Sequence, residues 1–178
     1  MRGRDKLLEP VDGTPLILRA VRAACAASVE VIVALPPRSP RRAWLGDLPA
    51  RIVEVPERAM SASIHAGVAS CRADAVMIHL ADMPEIGVAE FETLCRAWRE
   101  DAAPILRATD ADGTPGQPVI FARPLFAQLM RLSGDRGARD LLRDRSAVHV
   151  ALPDHRATTD LDTPEDWDAW RARTERRP

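Results

Sequence analysis

The sequence is poor in lysine: of its 25 basic residues, 24 are arginine and only Lys6 is lysine. A GC-rich coding sequence produces such a bias without functional cause. The surviving lysine is still singled out, because a compact ammonium and a planar guanidinium meet phosphate differently. Cysteine is scarce too. Cys25, Cys71 and Cys95 are odd in number and widely spaced, which excludes a disulfide framework and a zinc knuckle and leaves them as small buried hydrophobes. No apolar run approaches the roughly 18 residues that span a bilayer. No apolar signal region follows the charged residues 1–6. Excess charge is also lacking. With 25 basic and 26 acidic residues the net charge is −1, and no overall field draws the chain to nucleic acid or anionic lipid. These absences predict a cytoplasmic protein with neither a nucleic-acid nor a membrane partner.

What is present is a sizeable core. Apolar residues make up 46% of 178, which predicts one domain over residues 1–178 with a frayed tail at 174–178. Short apolar runs alternate with amphipathic stretches. Residues 29–35, 51–55, 75–81, 104–108, 118–122 and 148–152 read as strands, several stopped by proline. Residues 15–27, 61–70, 88–99, 124–132, 136–144 and 164–173 read as helices, with Thr14-Pro15 and Thr163-Pro164 as cap-plus-proline starts. The alternation predicts an α/β fold: a mostly parallel sheet with helices on both faces.

In such a sheet, ligands bind beyond the carboxyl ends of the strands. Asp82 stands there, after a run with no other charge. It either caps the next turn or holds a hard cation such as magnesium against phosphate oxygens. Asp160 and Asp162, spaced i, i+2, share one face of an extended segment where like charges repel unless a cation is near. Thr163 to Asp166 is explained by helix capping alone. Ser61 and Ser63 open a helix, one as N-cap or both near an anion. Gly116, in the turn-rich segment Asp112 to Pro118, would let backbone approach a ligand closely. Arg136 and Arg139 open a helix as solvated charges or as a phosphate clamp. The four histidines, His65, His79, His149 and His155, show no ligand spacing, and His79 reads as a hydrogen-bonded core residue. Trp98, Trp167 and Trp170 read as packing.

Taken together, residues 1–8, 12–16, 60–67, 80–84, 116–121, 134–139 and 160–166 resemble, in order, the molybdopterin nucleotidyltransferase family, most closely its molybdenum cofactor cytidylyltransferases. The resemblance implies a Rossmann-like nucleotidyltransferase domain that joins CTP to molybdopterin with magnesium and releases pyrophosphate. It implies Lys6 as a catalytic and nucleotide-phosphate contact and Asp82 as the catalytic metal ligand. Asp162 becomes the second metal-side carboxylate, with Ser61 and Ser63 in the nucleotide-facing loop. Gly116, Gln117, Pro118, Asp135 and Arg139 fall on the pterin side. A molybdoenzyme that receives the cofactor is the implied downstream partner.

Gln117 stands where the family usually shows Asn, and Met83 where Gln is common; both departures bear on substrate choice. The family also carries a strand and a Leu-Ala-Ala-Gly-x-Ser-x-Arg loop directly before the Met-x-Gly-x-x-Lys segment, with which this chain starts. The expectation is that Met1 is an internal methionine and that in-frame codons upstream encode that strand and loop. If the short form, truncated relative to the family, is the real one, a catalytically weak or inactive protein is the expectation. Two other readings stand beside the first: a related transferase using GTP or a sugar phosphate, and a non-catalytic protein that holds the molybdenum cofactor.

Overall fold

The computed structural model describes residues 5–27, 30–136, 138–143 and 147–175. Residues 1–4 of the first motif, Val29 of the first expected strand, Gly137 and residues 176–178 of the expected tail lie outside them.

The chain starts with a single 3-10 turn, Lys6–Leu8, and a short hairpin of β1 (Pro10–Val11) and β2 (Thr14–Pro15). Asp12 and Gly13 turn the hairpin with φ of 49° and 74°, the paired left-handed conformation that Asp-Gly favours. Thr14 therefore belongs to a strand. Helix α1 (Leu16–Ala26) begins after Pro15 without a side-chain cap, unlike the expected threonine cap.

Strands β3 (Val31–Leu35) and β4 (Ala50–Glu54) pair in parallel. Helix α2 (Met60–Ser70) leads to β5 (Ala75–Ile78), and α3 (Val88–Asp101) leads to β6 (Ile105–Thr109). Strand β7 (Pro115–Ala122) runs antiparallel to both β5 and β6, and β8 (Val148–Ala151) lies parallel to β6, giving the order β5-β7-β6-β8. The reversal of β7 follows from its connection. Only residues 110–114 separate it from β6, too few for a crossover. Short helices α4 (Phe126–Leu129) and α5 (Arg139–Arg143) and the longer α6 (Pro164–Thr174) complete the fold.

The two sheets share one direction. Arg51 donates to Glu30 (2.5 Å) and to the Ser70 carbonyl (2.6 Å), so β3 and β4 start where α2 hands over to β5. At the opposite end Leu35, Ala81 and Leu7 pack in one cluster. All the strands of the two sheets except β7 therefore point one way, as expected of a mostly parallel α/β sheet. Helices α1 and α3 cover one face, around Phe91, Leu94, Leu106 and Ile120. Helices α2 and α4 cover the other, around Val68, Phe121 and Leu129. Fully buried side chains such as Leu94, Leu106 and Phe121 each contribute about 1.5–3 kcal/mol. Helix α6 seats Trp167 and Trp170 on Val11, Leu16 and Leu161.

His79 is half-buried as a residue, but both ring nitrogens are shielded from solvent and have no hydrogen-bond partner among the described residues. Its ring meets Phe91 edge-on, centroids 5.1 Å apart. Packing is its role here, not the expected hydrogen bond, and burial pushes its pKa down to about 4.

Candidate active site

The site lies at the carboxyl edge of the sheet and is assembled from three distant parts of the chain. Asp5 caps the 3-10 turn by accepting from Leu7 N (3.1 Å), and Arg41 grips the same carboxylate with Nε (2.7 Å) and a terminal nitrogen (2.8 Å). That clamp fixes the backbone of Lys6. The Lys6 ammonium reaches the Asp82 carboxylate at 2.5 Å and also donates to Asp162. Burial works against the charge on Lys6, but Asp162 and Asp82 outweigh it and raise its pKa above the ordinary lysine value. Asp160 stands beside them. Burial first, then the neighbouring Asp162 charge, raises its carboxyl above the usual range.

Asp162 is carried into place by a strap, residues 154–162, anchored on a buried acid. Asp110, 2% exposed at the end of β6, accepts from Ala157 N (3.0 Å) and Thr158 Oγ1 (2.5 Å) and faces His155 Nδ1 at 3.3 Å. A second pin joins Arg156 to the buried Glu90 of α3 at 2.5 Å. Leu161, fully buried, donates its N–H to the Asp82 carbonyl (3.1 Å), which sets Asp162 against Asp82. Beyond it, Thr163 caps α6 as expected and closes a capping box with Asp166, and Asp166 also accepts from Asp162 N (3.2 Å).

Gly116, Gln117 and Pro118 lie in β7. The pairing of β7 with β5 ends at Ile78↔Val119, short of Asp82. Gly116 has an internal reason. A Cβ there would sit 1.9 Å from the Ala157 carbonyl oxygen, and Gln117 N donates to that oxygen at 2.8 Å. Gln117 Oε1 is buried without a partner among the described residues. Arg107, not singled out in the sequence, donates to the Gly116 (2.9 Å) and Pro115 (3.2 Å) carbonyls. Burial, then the charge of Arg139, lowers its pKa, which puts Arg139 within electrostatic reach of this strand.

Helix α2 does not start on a serine. Its N-cap is Ala59 and no side chain of the cap closes it. Asp135 Oδ1, from the turn Gly134–Arg136, accepts from Met60 N at 3.2 Å instead. Ser61 is buried within the first turn and Ser63 lines a cavity behind the site. Asp135 therefore shares one helix end with Ser61 and Ser63. Asp110, Arg107 and Arg41 left no signal in the sequence beyond a charge beside an apolar run.

The residues fit a divalent cation. Asp82 Oδ1 is buried with no hydrogen-bond partner among the described residues, so an oxygen lone pair remains for a hard ion, and no group of three or more His, Cys, Asp or Glu among those residues is arranged around a metal position. Among the described residues no helix is long and apolar enough to cross a membrane.

A lysine held by two carboxylates thus lies at the carboxyl edge of an α/β sheet, beside further acid and arginine. The chain belongs to the family described as the MobA-like NTP transferase domain, whose sequence model matches residues 1–150. It is 30% identical over 118 residues, 63% of its own length, to the purine catabolism protein PucB of Bacillus subtilis, and spans 56% of that relative. Among solved structures it is similar to Rv0371c of Mycobacterium tuberculosis in complex with manganese, with 26% identity and a TM-score of 0.78 over 92% of this chain and 89% of the other. The fold is also that of molybdopterin-guanine dinucleotide biosynthesis protein A from Archaeoglobus fulgidus, with 15% identity and a TM-score of 0.72 over 98% and 93% of the two chains.

Proposed function

We propose that this nucleotidyltransferase joins the cytidylyl group of CTP to molybdopterin and releases pyrophosphate, with a molybdoenzyme as the eventual recipient of the product. The observation that carries the reading is the convergence of Lys6, Asp82 and Asp162 at the carboxyl edge of the sheet. Asp82 and Asp162 would hold Mg2+, which when bound offsets the negative charge of the triphosphate and of the departing pyrophosphate.

The chain's own residues do the rest by positioning. Lys6 exchanges its carboxylate partners for phosphate oxygens as substrate enters, and its raised pKa keeps it charged throughout. Ser61, Ser63 and the start of α2 face the nucleotide. Gly116 to Pro118, with Asp135 and Arg139, line the pterin side, where Arg139 and Arg107 favour a phosphate-bearing substrate. An oxygen of the pterin's terminal phosphate forms a bond to the α-phosphorus of CTP, the α–β phosphoanhydride breaks, and pyrophosphate carries away the electron pair.

A second reading, with GTP as donor, is favoured by the guanine dinucleotide activity in the name of the Archaeoglobus neighbour. Incubation with molybdopterin, Mg2+ and each NTP, followed by pyrophosphate release, separates the possibilities. Release with CTP alone is the expected result. Release with GTP establishes the second reading, and tight cofactor binding with no release under any NTP overturns the enzymatic proposal in favour of a carrier.

A further inference from the structure

We propose that the cavity between α1, residues 83–88 and α6 binds a small organic monoanion, a carboxylate carried on an apolar body. The site is separate from the nucleotidyl-transfer centre and does not rest on it: Lys6, Asp82, Asp160 and Asp162 form no part of its walls. Its volume of about 590 Å³ falls within the range of small-molecule sites. Segments far apart in the sequence meet there, so the cavity belongs to the folded chain alone.

The floor is apolar. Leu16 and Ala20 of α1, Met83 and Ile86 of the connecting segment and Trp170 of α6 line it, each at most 8% exposed. An apolar body gains by displacing water from such a floor. The rim is charged, and most of its charges are already matched. Arg19 pairs with Asp12 (3.1 Å), Glu85 with Arg173 (3.0 Å) and Arg156 with the buried Glu90 (2.5 Å). Arg22 lines the same cavity from the exposed side of α1 and has no ion pair among the described residues. The balance leaves one positive charge unanswered, which calls for one negative charge on the occupant.

Two further features give that charge a seat. Arg156 donates to Glu90 through one terminal nitrogen. Its other terminal nitrogen makes no hydrogen bond among the described residues and is not one of the shielded atoms, so it opens towards the cavity that the side chain lines. Gly87 and Val88, at the start of the 14-residue α3, stand on the same wall. Glu90 Oε2 accepts from Gly87 N at 2.8 Å, while Val88 N has no partner among the described residues. The positive end of the helix dipole adds to the attraction. A neutral apolar molecule would leave Arg22 and Arg156 unanswered, and a phosphate monoester would bring a second charge with no counterpart. A carboxylate answers with one charge and two acceptor oxygens.

The test uses the 178-residue chain, labelled with heavy nitrogen, and three probes: hydrocinnamate, its neutral amide and phenyl phosphate. Trp170 Nε1 is shielded and unpartnered on a residue of the floor, so its N–H resonance, assigned by its loss in Trp170→Phe, reports occupancy. The expected result is a saturable shift of that resonance with hydrocinnamate. The amide binds at least about tenfold more weakly, and phenyl phosphate no more tightly than the carboxylate. Arg22→Gln, at an exposed position, weakens hydrocinnamate about fivefold. Ala26→Trp, on the exposed part of the wall, blocks it; if that variant fails to fold, Arg22→Gln decides alone. Saturating Mg-CTP leaves the affinity unchanged. Several outcomes overturn the proposal: no saturable shift, equal binding of the amide, tighter binding of phenyl phosphate, wild-type affinity in Arg22→Gln, or displacement by Mg-CTP, which would put the probe in the transfer site.

Discussion

Replacing His79 by leucine should flatten the acid limb of the stability curve. The imidazole sits between β5 and α3 with neither nitrogen hydrogen-bonded among the described residues, and its pKa falls from 6.5 to about 4. Between those values the unfolded chain binds a proton that the folded chain refuses, so stability rises with pH through the window and is lost as pH falls. A displacement of that size corresponds to about 3 kcal/mol between pH 7 and pH 4. For a chain of this length that is roughly 6–12 °C in Tm. Urea unfolding of the wild type and His79→Leu at pH 7, 5.5 and 4 measures it directly. At pH 7 the variant is expected within about 1 kcal/mol of the wild type, because it also relieves two unpaired buried nitrogens. At pH 4 it is expected to be the more stable by about 3 kcal/mol. Parallel pH profiles for the two proteins would refute the reasoning and mean that the ring protonates in the folded state at no cost.

Asp82→Asn keeps the shape of the carboxylate but not its charge, and should lower kcat by about 10²–10³-fold while far-ultraviolet circular dichroism stays unchanged. An unfolded variant would make Asp82 structural. Gly116→Ala drives a Cβ to 1.9 Å from the Ala157 oxygen and should destabilise by about 2–4 kcal/mol in denaturant unfolding, since backbone, not a flexible side chain, must move. Asp110→Ala unpairs Ala157 N and Thr158 Oγ1. It is expected to cost about 2–4 kcal/mol and to raise the apparent Kd for manganese, read by paramagnetic resonance. An unchanged metal affinity would separate the strap from the site.

The periodicity of the sequence sufficed for six of the strands, the helices and the layer order, because apolar spacing and proline stops are local. Thr163 capped its helix as read, since its partner is three residues away. The site was legible only in part. Asp82 and the Asp160–Asp162 pair announced themselves as charges where an apolar run ends or where like charges crowd. That Lys6, Asp82 and Asp162 share one site came from family resemblance, not from spacing, and the bridge from Lys6 to both carboxylates, across 76 and 156 residues, is visible only in the structure. Asp135 as the cap of α2, 75 residues away from Met60, and Gly116 as a seat for Ala157 are tertiary facts with no local signature. The reversal of β7 follows from a connection length, but a turn-rich segment reads equally well as a loop.

The scarcity of lysine has a practical consequence at the site. The only ε-amine of the sequence lies between Asp82 and Asp162, so acylation of a lysine side chain reports on that one position. Two carboxylates that raise its pKa slow the reagent. A polyphosphate that draws the ammonium away from them changes the rate, and mass spectrometry can follow occupancy of the site through the modification of one lysine atom, Lys6 Nζ.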